Sequence, residues 1–304
     1  MADLSALNLR FGLSGQISFK EMPGGLAVME VINAHASATI ALQGGHIICW
    51  QPKSETEPVV WLSRAANFTP GKSIRGGVPV CWPWFGPHAT DRKRPAHGFA
   101  RTVPWEVTAT RALDNGATEI ALTLVETDQT RTMWPHRTKL SITITVGPRL
   151  KIALATDNLG NEDVVIGEAL HTYFHIGDIA DIRIGGLEGC DYLDKVGGGN
   201  VHRRQDGPVV FSAETDRIYL NTDAECVIED PRLKRRIHVA KSGSYSTVVW
   251  NPWTEKANKM GDFGPDGWRG MVCVESANAA ENVVTIRKGS RHTLAVEYWT
   301  EKIQ

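Results

Sequence analysis

Residues 167–175 read Gly-Glu-Ala-Leu-His-Thr-Tyr-Phe-His and set a titratable imidazole, His171, inside an otherwise apolar run of β-type residues. Alternation along a strand puts His171, Tyr173 and His175 on one face and Leu170, Thr172, Phe174 and Ile176 on the other. A sandwich core does not ask for three polar rings on one surface. Far along the chain, Met271-Val272-Cys273-Val274-Glu275 is a second apolar run, ending in a single carboxylate and followed by the polar segment Ser276–Asn282. An imidazole and a carboxyl at strand ends are the equipment of proton transfer. His171 alone is more often a satisfied, hydrogen-bonded strand histidine; Glu275 and the order of the motifs are what turn the reading towards chemistry.

Two glycine-rich stretches carry a different chemistry. GKSIRGGVPVCWPWFGPH runs from Gly71 to His88, and PAHGFAR from Pro95 to Arg101. Arg75 precedes Gly76-Gly77, where backbone can approach a ligand without side-chain obstruction. Arg101 closes the second stretch. Two arginines on neighbouring loops suit a dianionic phosphate, because the planar guanidinium donates paired, charge-assisted hydrogen bonds. The alternatives are a brace for the turn at Arg75 and an ion pair at Arg101. His97 lies between the two arginine segments and is therefore expected at the substrate site, with no individual role assigned. There is no Gly-Lys-Ser/Thr phosphate loop, which argues against a nucleotide. Trp82, Trp84, Trp253 and Trp268 fall in loops, where indole rings stack on sugar faces but more often pack cores. A zinc reading of His171 and His175 with Glu275 is possible by residue type; the helical His-Glu-x-x-His pattern is absent, so no metal is expected.

The elements that must position these residues are strands. Leu140, Ile142, Ile144 and Val146 alternate with Ser141, Thr143 and Thr145, and similar runs cover 26–32, 38–42, 120–125, 150–155, 226–229, 237–241, 247–250, 283–286 and 292–299. Turn residues such as Asp114-Asn115-Gly116 and Gly197-Gly198-Gly199 punctuate them. No long 3.6-residue apolar period occurs, so helices should be few and short. Residues 74–95 and 251–270 read as long structured loops. Asp216 falls in a turn-like segment, where it either caps local backbone or bonds a sugar hydroxyl. Lys234-Arg235-Arg236 reads as a solvated strand edge. With no repeat and no linker composition, one all-β sandwich domain over residues 1–304 is the economical expectation.

Composition narrows the function. The chain has 304 residues, 42% hydrophobic and 22% charged, enough for a large core. Lys plus Arg at 33 against Asp plus Glu at 34 removes the electrostatic case for nucleic acid or a membrane surface as partner. The first residues lack the pattern of a signal peptide and no run suits a membrane span, so a cytoplasmic protein is expected. Five scattered cysteines, an odd number, favour reduced thiols, with Cys273 a small apolar filler of its strand.

Taken together, IRGGVPVCWPWFG, AHGFAR, ALHTYF, the segment Glu214–Tyr219 and CVESANAAEN resemble, in order, the glucose-6-phosphate 1-epimerase (hexose-6-phosphate mutarotase) group of the aldose 1-epimerase superfamily. The similarity spans roughly Gly71 to Asn282. It implies a large antiparallel β-sandwich of the galactose-mutarotase-like type, His171 as general acid, Glu275 as general base, Arg75 and Arg101 on the substrate phosphate, and Asp216 on the sugar. One departure is Ala96, a Gln in some members, which bears on fine substrate preference. The reaction itself needs little. The C1 hydroxyl of an aldose loses a proton, the ring oxygen gains one, the C1–C2 bond turns and the ring recloses on the other carbonyl face. A Glu and a His near their ordinary pKa values suffice, with no redox cofactor or metal. A mutarotase for unphosphorylated aldoses would keep His171 and Glu275 without needing the arginines. A non-catalytic carbohydrate-binding protein would keep the Trp-lined loops and the arginines without needing His171 and Glu275 together.

Overall fold

The computed structural model describes residues 3–303. Strands dominate, and the ladders between them are antiparallel. One eight-stranded sheet runs in the order 183–185, 226–230, 235–242, 291–302, 150–158, 138–146, 118–124, 105–112. Its strands alternate between buried and half-exposed positions, as Thr138–Val146 does, because one face packs on the core and the other meets solvent. The second eight-stranded sheet carries the candidate chemistry: 201–204, 191–194, 215–219, 246–251, 271–278, 168–170 and 80–81 in order, with 173–175 also paired to 271–278. Here Ser246–Asn251 and Met271–Asn278 are buried at every position. Both faces are covered, so these central strands read in the sequence as continuous apolar runs rather than alternating ones. A four-stranded sheet over 17–21, 27–32, 36–41 and 46–52 flanks them. One apolar core, from Phe11 to Tyr298, draws side chains from all three.

Helices are short, as the missing 3.6-residue period requires: Leu4–Phe11, Asp128–Met133 and Trp253–Met260, with a few 3-10 turns. Among the described residues no helix is long and apolar enough to cross a membrane. All five cysteines are free thiols. Three local expectations fail. The stretch 251–270 holds the helix Trp253–Met260, whose polar composition hides it. Asp216 lies within the strand Thr215–Tyr219, opposite Trp250, not in a turn. Lys234–Arg236 is no solvated edge, because the strand Arg235–Ser242 lies between two others. Arg235 is buried and donates to Glu55 and to the carbonyls of Glu57, Pro58 and His175, tying down the loop before Val59.

Candidate active site

His171 and Glu275 are brought together by strand register. Leu170 pairs with Ser276, and Tyr173 pairs with Cys273, so the two residues between stand opposite one another on the same face. The ladder is interrupted there. The Thr172 amide turns back to the Leu170 carbonyl, and the His171 amide donates to Pro79 instead. His171 Nε2 lies 3.3 Å from Glu275 Oε1. The same parity runs across the sheet, since Val248 pairs with both Glu275 and Ile218, and Ile218 with Leu193. That common face is the floor of a cavity of about 820 Å3, whose lining includes Arg75, His97, Arg101, His171, Asp216 and Glu275. All six sequence-selected residues therefore meet in one hollow, of a size that suits a small ligand.

Around the pair the rings are stacked. Tyr173 lies 5.0 Å from His171, nearly parallel, Trp61 stacks beyond Tyr173, and Phe263 beyond Trp61. His97 meets His171 edge-on at 5.7 Å. His97 adopts a left-handed φ of 65°, and its Nδ1 accepts from the Gly86 amide, which leaves Nε2 to carry the proton. The arginines differ. Arg75 donates to Asp262 at 3.0 Å and to the Tyr173 hydroxyl at 2.9 Å, with its guanidinium over Phe263. Arg101 donates to the Ala96 carbonyl. Because that contact uses main chain, it does not depend on the side chain at position 96. Lys256 bonds Glu214 and stands 3.6 Å from Asp216.

The expectation of ordinary titration at His171 and Glu275 fails, for a physical reason. Burial drives the His171 pKa well below 6.5, helped by His97, Arg101 and Arg75. Burial likewise drives Glu275 well above 4.5, helped by Asp216 and opposed by Arg101. Both shifts favour the neutral forms, imidazole and carboxylic acid. His97 is held down to about 3 by burial and by both arginines, so it is a neutral donor. Burial raises Asp216, against the pull of Lys256.

Several expectations are redrawn. His175 shares the strand face of His171 but lines a separate cavity of about 650 Å3 with Trp61, and its Nδ1 contacts the Pro58 carbonyl. It cannot join His171 and Glu275 on a metal. Gly76 and Gly77 do not open backbone to a ligand; a Cβ at Gly76 would strike the Trp61 carbonyl at 2.6 Å, and one at Gly77 would strike His46 at 2.4 Å. Trp82, Trp84, Trp253 and Trp268 stay off the cavity, whereas Trp250 lines it. Residues missed in the sequence include Tyr173 as the partner of Arg75, and Lys195, Asn200, His202 and Lys256 on the cavity wall. Only Tyr173 carried a signal, its alternation with His171.

A family model described as aldose 1-epimerase matches residues 28–299. A Salmonella typhimurium protein described as a "putative glucose-6-phosphate 1-epimerase" is 39% identical over 267 residues, 88% of each chain. One of the same description from Cenchrus ciliaris is 33% identical over 282 residues, covering 88% of this chain and 82% of its own. A crystal structure described as a "putative mutarotase" from Salmonella typhimurium superposes with a TM-score of 0.89 at 35% identity, over 96% of both chains. The model match takes in both eight-stranded sheets but for the last residues of one strand, and every residue of the acid–base cavity just described, and on that ground the chain belongs to the aldose 1-epimerase family.

Proposed function

We propose that this epimerase interconverts the α and β anomers of a hexose 6-phosphate, glucose 6-phosphate foremost. The observation that carries the proposal is the approach of His171 and Glu275 to 3.3 Å on the floor of a cavity that also takes in Arg75 and Arg101. Glu275 accepts the proton of the C1 hydroxyl and His171 delivers one to the ring oxygen; closure reverses the roles. Each positioned group supplies roughly 10²–10⁴-fold. For those roles the shared proton must sit on His171. Arg75 and Arg101 are among the charges that keep it off. A phosphate bridging the two guanidiniums cancels much of their repulsion, so the group that anchors the substrate also favours the protonated imidazole. Asp216 and the Nε2–H of His97 are placed to bond ring hydroxyls. No step calls for a cofactor.

The test is anomer-exchange NMR on glucose 6-phosphate, free glucose and free galactose, with rates taken above spontaneous exchange. Wild type should accelerate glucose 6-phosphate most, and His171→Asn and Glu275→Gln should each fall by roughly 10²-fold or more. Equal acceleration of free aldoses would make the enzyme a mutarotase of unphosphorylated sugars. Binding without acceleration of any sugar would remove the catalytic reading.

A further inference from the structure

Cys273 has no part in the reaction above, yet it stands on the catalytic face. It lies two residues from Glu275 along one strand and opposite Tyr173, itself two residues from His171, on the next. One donor atom from each of His171, Cys273 and Glu275 falls within 4.8 Å of the other two. All three residues are buried, Glu275 to 1% exposure and Cys273 completely. Glu275 Oε2 is buried with no hydrogen-bond partner, and so is His171 Nδ1. An unpartnered carboxylate oxygen beside a thiol and an imidazole is a cluster in need of a cation or a proton.

A tetrahedral ion bound to nitrogen, oxygen and sulfur at about 2.0–2.3 Å holds its ligands roughly 3.3–3.8 Å apart. The His171–Glu275 separation of 3.3 Å already fits. The widest separation closes with a shift of about one ångström. Imidazole, carboxylate and thiolate together select a borderline-soft ion over Mg2+ or Ca2+, which prefer all-oxygen sites. His171 and Glu275 line the cavity, so a fourth position would face it.

We propose that His171, Cys273 and Glu275 form a capture site for Zn2+ that switches the enzyme off by occupying both proton-transfer groups. The inhibition rests on the acid–base reading above; the binding does not. On capture the Cys273 thiol, and the Glu275 carboxyl where it is protonated, release their protons to solvent. Arg75, Arg101 and Lys256 oppose the incoming charge, while Asp216 favours it. This balance suits a reversible inhibitor rather than a resident ion.

The test titrates the full-length, metal-stripped protein with Co2+ and follows the thiolate-to-cobalt charge-transfer absorption, then displaces Co2+ with Zn2+. The band should appear in wild type and in the Cys49→Ser, Cys190→Ser double variant, be lost in Cys273→Ser, and weaken in His171→Asn. Zn2+ should cut anomer exchange by roughly 10²-fold or more, reversed by chelator. A Cys273-dependent band in a protein with no epimerase activity would support the site and remove the reaction. An active enzyme with no band, or with a band that vanishes only with Cys49 and Cys190, would overturn the capture site. Should Cys273→Ser fail to fold, His171→Asn decides, because undiminished Co2+ binding there would overturn it equally.

Discussion

The opposed shifts of the buried pair lead us to predict an inverted assignment of the pH profile. A form with one proton shared by His171 and Glu275 is bounded on the acid side by protonation of the group with the lower pKa and on the alkaline side by deprotonation of the higher. Burial drives His171 down and Glu275 up, and the inverted assignment takes the imidazole as the lower of the two. The acid limb of kcat/KM, corrected for the substrate's own phosphate ionisation near ~6, should therefore follow His171 and fall below its ordinary ~6.5. Arg101→Ala removes a cation that depresses His171, so it should move that limb up. Asp216→Asn removes a charge that raises Glu275, so it should move the alkaline limb down. Limbs at the ordinary Glu and His values, unmoved by these substitutions, would sink the inverted assignment. The arginines separate in the same measurements. Arg101 gives one contact to main chain, so Arg101→Ala should raise KM for glucose 6-phosphate by about tenfold or more, the weight of ~1.5–3 kcal/mol for charged hydrogen bonds. Its kcat and Tm should change little. Arg75→Ala should raise KM and also lower Tm, since it strands Asp262 and the Tyr173 hydroxyl. His171 was legible in the sequence because an imidazole interrupts an apolar run. Its pKa was not, since depth of burial and the approach of Arg75, Arg101 and His97 arise only from long-range packing.

At the scale of elements, the broken strand is what makes the site. Residues 171–172 leave the ladder between two paired segments, and Pro79 and Gly77 take up the amides of His171 and Tyr173. Gly77 can serve because it approaches His46 and Ile47 more closely than any Cβ allows, at a φ of 75°. His46 in turn contacts the Gly76 carbonyl at 2.9 Å, and burial holds its pKa down to about 4. Gly77→Ala should therefore destabilise by at least ~1–3 kcal/mol, read by urea unfolding, and reduce kcat by displacing His171. A variant as stable and active as wild type would show that this close approach does not position the acid. The sequence marked Gly76-Gly77 as special but pointed to a ligand, since glycine reports close approach without naming what approaches. The strand Leu140–Val146 was plain from alternation, and Met271–Asn278 from its apolar run. The helix Trp253–Met260 was not, because its apolar stripe of Trp253, Ala257 and Met260 spans only eight residues of otherwise polar composition.

At the scale of the molecule, the pair is assembled from segments far apart in the chain, and its register depends on the sheet that the apolar core supports. All three larger sheets feed that core. We read the chain as one cooperative unit, because the segment bearing Arg75, His97 and Arg101 leads from the four-stranded sheet to the strand 105–112 of the first eight-stranded sheet while lining the cavity on the second. Loosening any sheet should then disturb the hollow. In a urea titration, far-ultraviolet circular dichroism, tryptophan emission and anomer exchange should fall together, with one midpoint. Tryptophan is a fitting probe, since Trp50 is buried within the four-stranded sheet, Trp105 in the eight-stranded sheet that ends at 105–112, and Trp250 lines the cavity. Activity lost well before either optical signal would mean that the loops melt independently of the sandwich. Two resolved optical transitions would mean that the four-stranded sheet and the eight-stranded pair fold separately, and the register that sets His171 against Glu275 would then be the property of one unit alone.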